Sequence, residues 1–431
     1  HRDLHRLIRR QRQMCIRDSL WAWEYRADIV RDNLRIFSEY TGIPADLHTT
    51  AEPYEDLMAP KLAGGEPVDV LYIREWSIVP WADAGWIVPI DDIPTIDFIK
   101  KDYTDISLWQ CSYNDHLYML SYFSGVTVWA YNKNVMEKAG ITKAPETWDD
   151  ALQYARDIKK NYPKCETPLG LNVGTFHLVI LMGLEYMLAS EGAKLVNEDL
   201  DPSFAEEDRD TFKYCLEILR TGMDEKLIPP FLTGHPKIAE GLVDETIAMG
   251  FSSRYGFYNM NITLAGGKKV IGCWKMPGKT HRTKISTYGY ARAGYNKERA
   301  KKDPKAEEAA FQLLDFYGGM YYEDDFDGDG LKEHCNFVAR RWMIEAGLFA
   351  SQKSWWKDPV VQKKIEEFGY PEIFQWQSEH ADPRYGVRAG WYFEWAEFSL
   401  PYLQNAVLGK ISIDECINTL RDKWNDLKAK A

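Results

Sequence analysis

DHLYMLSYFSGVTVWAYNKNVMEKAGITKAPETWDDALQYARDIKKN, residues 115–161, sets a strand, a cap, a turn and a helix end to end. The apolar run 126–131 reads as a buried strand, Asn132 caps a short helix that Gly140 stops, and Pro145 and Thr147 restart the chain into a second helix. Thr147 with Asp150 three residues on forms a capping box, after which Trp148, Leu152, Ala155 and Ile158 share one face at helical spacing. These periods alone specify an α/β unit.

The alternation extends upstream. After the strand-like LWAW at 20–23, Val30, Leu34 and Phe37 make an i, i+4, i+7 stripe, and Gly42 supplies a left-handed stop before a strand near 43–47. A further helix follows Pro53, ends at Gly64 and Gly65, and leads into the apolar strand 68–73. Strands alternating with helices predict a largely parallel sheet, and ligands of such sheets sit outside the carboxyl ends of the strands. The loops after Trp23, Ile73, Leu120 and Phe251 are therefore the candidate site loops.

With 431 residues, 45% hydrophobic and 14% aromatic, the chain has material for two or three domains with real cores. A formal charge of −12 argues against nucleic acid or an anionic membrane surface as partner, both of which need a basic footprint. Sixteen Trp and twenty-five Tyr offer flat faces suited to the apolar sides of sugar rings, although most must serve packing. The seven cysteines (Cys15, Cys111, Cys165, Cys215, Cys273, Cys335, Cys416) show no CxxC pair and no zinc spacing. Buried thiols are expected; in an oxidising compartment the last six could form disulfides whose pairing the sequence does not assign. The longest apolar run, 176–189, is too short to cross a bilayer and is broken by Glu185, so a soluble mature protein is expected.

The pair AYNKNVMEKAGI and APETWDDAL, at 130–141 and 144–152, resembles the signature of the carbohydrate-type solute-binding proteins that serve ABC importers, the maltose-binding-protein-like class. Further stretches agree in order: FSEYTGI (37–43), KLAGGEPVDVLYI (61–73), WADAGWIVPIDD (81–92), EGLVDETIAMGFSSRYG (240–256), KAEEAAFQLLDF (305–316), GLFASQKSWWKDP (347–359) and LQNAVLGKISIDECINTL (403–420). Residues 1–19 and 321–336 have no counterpart. The resemblance implies an α/β, two-lobed periplasmic-binding-protein fold (type II-like), each lobe a mixed, mainly parallel sheet flanked by helices, joined by a hinge. It implies lobe crossings near Val126, near Ser286 and after about Gly319. The N-terminal lobe is then 20–126 with 286–319, the C-terminal lobe 127–285 with 337–431, and 320–336 is an acidic insertion. It further implies a monomer, periplasmic or extracellular and lipid-anchored in a bacterium, that closes on a small oligosaccharide or related sugar or polyol and presents it to a membrane permease. A secreted protein of this class starts with a signal peptide. Residues 1–19, HRDLHRLIRRQRQMCIRDS, hold six Arg and no apolar core segment, and read as a non-native head resembling translated adapter sequence, with the fold beginning at Leu20; a native basic arm is the alternative.

Recognising a neutral sugar needs planar hydrogen-bonding groups for hydroxyls and aromatic plates for ring C–H faces. Such residues gather at the predicted strand ends: Trp23, Glu24 and Tyr25; Arg74, Glu75 and Trp76; Tyr122 and Phe123; Ser253, Arg254 and Tyr255; Tyr288, Gly289 and Tyr290. Trp391, Tyr392 and Trp395 lie where the resembled family commonly places a sugar-stacking aromatic. Each aromatic has a second reading as core, and Arg74 and Arg254 a second reading as ion-paired spacers. Asp69 reads as structural and Asn132 as a helix cap.

Asp325, Asp327 and Asp329 with Gly330 reproduce the D-x-D-x-D-G opening of a calcium loop, but its twelfth position is Asn336 in place of Glu and its eighth is Lys332. A structural calcium and an acidic surface turn both remain open. No nucleophile elbow, P-loop, dinucleotide fingerprint or zinc motif is present, and Glu394 with Glu397, three apart on one predicted helix, lie side by side where a glycosidase needs carboxylates across a bond. The expectation is a non-enzymatic binding protein without cofactor. A sugar-sensing module without a transporter is the runner-up.

Overall fold

A computed structural model describes residues 16–21, 27–50, 54–171, 173–174, 177–229, 235–319, 337–349 and 351–431. The chain forms two compact units, the first running to Ser124 and taking up Ser286–Lys364, the second made of Gly125–Ile285 with Ile365–Ala431. The first two passages fall at Ser124 and Ser286, beside the expected Val126 and Ser286. The third falls at Lys364, so 337–364 moves from the second lobe of the sequence reading to the first unit. Packing gives the reason. Trp342 of the helix Phe337–Ala346 lies 5.9 Å from the Tyr122 ring, and Gln352 donates to the Ser121 carbonyl at 3.2 Å.

In the first unit the strand Ile16–Trp21 pairs parallel with Ala45–Thr50 and with Val70–Arg74, and Ile285–Ala293 joins Val70–Arg74 antiparallel. The first strand thus starts at Ile16 and ends at Trp21. Residues 16–19, assigned above to a non-native head, pair with the sheet, and 22–23 lie outside the described residues. Val70, Leu71 and Ile73 have no exposed surface, as a strand covered on both faces requires. The helix Ala27–Thr41 buries Val30, Leu34 and Phe37, and Gly42 ends it at φ 71°.

In the second unit the strand Met119–Asn132, arriving from the first, pairs antiparallel with Met249–Ser253 and with Ile271–Trp274, while Leu169–Gly170 adds parallel to Met249–Ser253. Two of these three pairings are antiparallel, against the mainly parallel expectation. A parallel neighbour needs a crossover, and among the described pairings here only the helical stretch between 170 and 249 supplies one. The local signals of 115–161 act as the sequence dictates. Asn132 Oδ1 accepts from Val135 N at 3.1 Å, Gly140 sits at φ 72°, and Thr147 and Asp150 exchange their capping-box bonds at 3.1 and 2.9 Å. Trp148, Leu152, Ala155 and Ile158 are all buried.

The run 176–189 contributes to the helix His177–Glu191, where Glu185 is buried and paired with Arg384 at 2.7 Å. Among the described residues no helix is long and apolar enough to cross a membrane. Cys111, Cys165, Cys215, Cys273 and Cys416 are buried. Trp23, Glu24, Tyr25 and the acidic segment with Asp325, Asp327, Asp329 and Asn336 lie outside the described residues.

Candidate functional site

In the first unit, the Val70–Arg74 strand ends in extended backbone at Arg74 and turns at once into the short helical segment Glu75–Ser77. That turn presents Arg74, Glu75 and Trp76 in succession at the strand's carboxyl end. The Arg74 guanidinium lies 5.3 Å over the Trp76 ring and donates from Nη1 to Glu55 Oε2 at 3.2 Å. Trp76 donates its indole N–H to Glu55 Oε1 at 3.1 Å, and Ser77 its hydroxyl to the same oxygen at 3.3 Å. Glu75, almost fully buried, accepts from Thr287 N at 3.0 Å, and Thr287 in turn donates its hydroxyl to Gln110.

Tyr288 stands opposite Arg74 in the antiparallel register. Its ring stacks on Phe123 at 4.8 Å with 11° between planes and meets Trp76 edge-on at 5.9 Å. Gly289 is required by close approach, since a Cβ there would stand 2.2 Å from the Leu120 carbonyl oxygen. The structure therefore brings Arg74, Glu75, Trp76, Phe123, Tyr288 and Gly289 into one cluster. Tyr122 belongs elsewhere: its ring joins Tyr290 at 5.5 Å and Trp342 at 5.9 Å in the aromatic core. Asp69 is structural, taking Asn296 Nδ2 at 2.8 Å and Arg299 Nη1 at 2.6 Å.

In the second unit, Ser253 ends its strand and caps the helix Arg254–Tyr258, its hydroxyl accepting from Gly256 N at 3.3 Å. Arg254 is buried, its guanidinium 5.3 Å from the Phe368 ring and 6.0 Å from that of Phe374; burial brings its pKa down to about 9. Tyr255 is half-buried. The Trp391, Tyr392, Trp395 group divides. Trp395 has no exposed surface, donates its N–H to Leu420 O at 2.9 Å and packs on Trp424 and Phe204. Tyr392 is 1% exposed and accepts from Arg384 at 3.2 Å. Both leave the ligand set, because helices of their own unit cover them; Trp391, half-buried against Trp424, stays.

Residues missed in the sequence also appear. Glu55, Gln110 and Thr287 organise the first cluster. In the second unit Tyr131 and Trp274, both half-buried, stack at 3.8 Å across paired strands. Forks of N–H donors beside ring faces can hold hydroxyls and C–H surfaces together. Among the described residues no group of three or more His, Cys, Asp or Glu is placed to hold a metal.

The family described as bacterial extracellular solute-binding protein is matched over residues 25–320. Among curated proteins the chain is 25% identical over 146 residues to the multiple sugar-binding protein of Streptococcus mutans, a match covering 33% of this chain and 31% of that protein. It is 26% identical over 210 residues to the arabinooligosaccharide-binding protein of Bacillus subtilis, covering 46% of this chain and 45% of that one. The matches thus span less than half the length of either relative. Among solved structures, the maltose-bound MalE3 of T. maritima aligns with a TM-score of 0.77 at 15% identity, covering 96% of this chain and 99% of that one. A solute-binding protein of Agrobacterium vitis with bound D-mannitol aligns at 0.75 and 16% identity, covering 96% and 98%. At such identities the likeness establishes the fold.

Proposed function

This chain belongs to the bacterial extracellular solute-binding protein family, and from that premise we propose that it is the substrate-binding component of an ABC importer. It takes up a carbohydrate, a small oligosaccharide or a related sugar or polyol, outside the cytoplasmic membrane and hands it to a permease. The observation that carries the choice of ligand is the cluster at the end of the Val70–Arg74 strand: a guanidinium fork, an indole, and a phenol stacked on a phenyl ring, gathered within one unit. Hydroxyl arrays with apolar ring faces match those groups, and the sugar and polyol ligands named for the relatives support the same choice.

In the first unit the residues offered to a ligand are Arg74, Glu75, Trp76, Phe123 and Tyr288; the second unit, taken by itself, offers Ser253, Arg254, Tyr255 and Trp391. Binding is reversible and no bond is broken. Glu394 and Glu397, the pair a hydrolase would use, both lie exposed on the helix Tyr392–Val407, with Glu394 held by Lys423 at 2.6 Å. Carboxylates that cleave a glycosidic bond face each other across it. A thermal-shift screen over mono- and oligosaccharides, polyols and osmolytes tests the proposal, because ligand occupancy stabilises the fold by mass action. A sugar or polyol that raises the melting temperature in proportion to the logarithm of its concentration is the expected result; a response confined to other solute classes refutes it.

A further inference from the structure

Glu55 belongs to no sequence motif, yet it governs the cluster. The helix Tyr54–Ala63 that carries it is pinned to the sheet by Tyr54, fully buried, whose hydroxyl donates to the Tyr72 carbonyl at 2.8 Å, and by buried Met58. With its neighbours so fixed, Glu55 takes three donors from a run of four residues: Arg74 Nη1 at 3.2 Å, Trp76 Nε1 at 3.1 Å and Ser77 Oγ at 3.3 Å. That carboxylate thereby holds the indole's N–H and, together with the Tyr72 hydroxyl that accepts from Arg74 Nε at 3.4 Å, the plane of the guanidinium.

Two physical consequences follow. A long Arg and a large indole held in place before the ligand arrives lose little further freedom on binding. The Arg74 charge is also compensated within the unit, in an ion pair whose side chains are only 8% and 16% exposed. The guanidinium then acts as a planar set of N–H donors for hydroxyls and gives no unpaired cation for an acidic ligand to neutralise.

We infer that Glu55 is a positioning residue that presets Arg74 and Trp76 for a neutral polyhydroxyl solute. The inference rests on the sugar or polyol reading above. Calorimetric titration of wild type and Glu55→Gln with maltotriose, arabinotriose and D-mannitol as neutral probes, and digalacturonate as an acidic one, tests it. Gln keeps the size and the acceptor for Trp76 but removes the compensating charge. The expected result is a loss of about tenfold or more in affinity for the neutral probe that wild type binds, while affinity for digalacturonate holds or rises. Unchanged neutral affinity overturns the inference. So does a parallel fall for neutral and acidic probes, which marks general loosening, and so does a wild type that prefers digalacturonate. Should Glu55→Gln fail to fold, Glu55→Asp, which keeps the charge one methylene shorter, is titrated in its place; a neutral affinity equal to wild type, or a second failure to fold, also overturns it. A wild type that binds none of the neutral probes refutes the sugar reading and this inference together, whereas binding that ignores Glu55 refutes the inference alone.

Discussion

An indole with no exposed surface and its N–H already spent on Leu420 O fills a core, and that is the state of Trp395. Trp395→Ala is expected to cost about 3–5 kcal/mol in denaturant unfolding through the cavity it leaves, with ligand affinity of the folded protein unchanged. Lost affinity at undiminished stability would return Trp395 to the ligand face. Arg384 and Glu185, no more than 2% exposed and 2.7 Å apart, make the opposite kind of buried pair. Glu185→Leu leaves a cation without its carboxylate and should destabilise by roughly 3–5 kcal/mol, again readable by denaturant titration. Asp315 supplies a pH dependence. Burial pushes its carboxyl up to about 6, against the lowering hydrogen bond donated by Thr95. The folded state holds this proton more tightly than the unfolded chain, so stability falls as pH rises from about 4 to about 6 and the full penalty stands above that. Asp315→Asn should therefore raise the melting temperature near pH 7.5, with a smaller gain near pH 4.5; a gain of equal size at both would contradict this origin.

At the scale of single elements, local signals act within their own few residues. The helix Trp148–Asn161 is capped by Thr147 and Asp150 as its spacing dictates, and Thr147→Ala should cost about 1 kcal/mol in equilibrium unfolding. No loss there would mean the cap is replaced by solvent. Such features were legible because cap, stop and apolar stripe lie within one or two turns of each other. The Glu55 contacts to residues 74, 76 and 77 span nineteen to twenty-two positions, and the Tyr131–Trp274 stack depends on which strands become neighbours. Neither has a periodic trace. The Trp391, Tyr392, Trp395 group shows the same limit from the other side. Helical spacing places Trp391 and Trp395 one turn apart, but only the packing of Leu420, Trp424 and Phe204 decides that Trp395 is sealed. In the same way the passage between units at Lys364 follows from contacts of Trp342 and Gln352, which no composition shift announces.

For the whole molecule, one chain passes between two compact units at Ser124, Ile285 and Lys364, and the match to the solute-binding family runs over residues 25–320. The resemblance read from residues 130–152 reached the family because that segment joins strand, cap and helix in an order that the fold itself requires. It did not reach the identity of the ligand, which depends on where forks and rings stand relative to individual hydroxyls. Ligand at about a hundred times its dissociation constant should add roughly 2.7 kcal/mol to stability. Calorimetric titration with neutral oligosaccharides and polyols, with the ligand recovered and chromatographed afterwards, tests whether the chain binds a carbohydrate without cleaving it. One equivalent of a sugar or polyol bound per chain and returned intact is the expected result. Cleaved ligand, or heat from none of them against a chain that is folded, would contradict it.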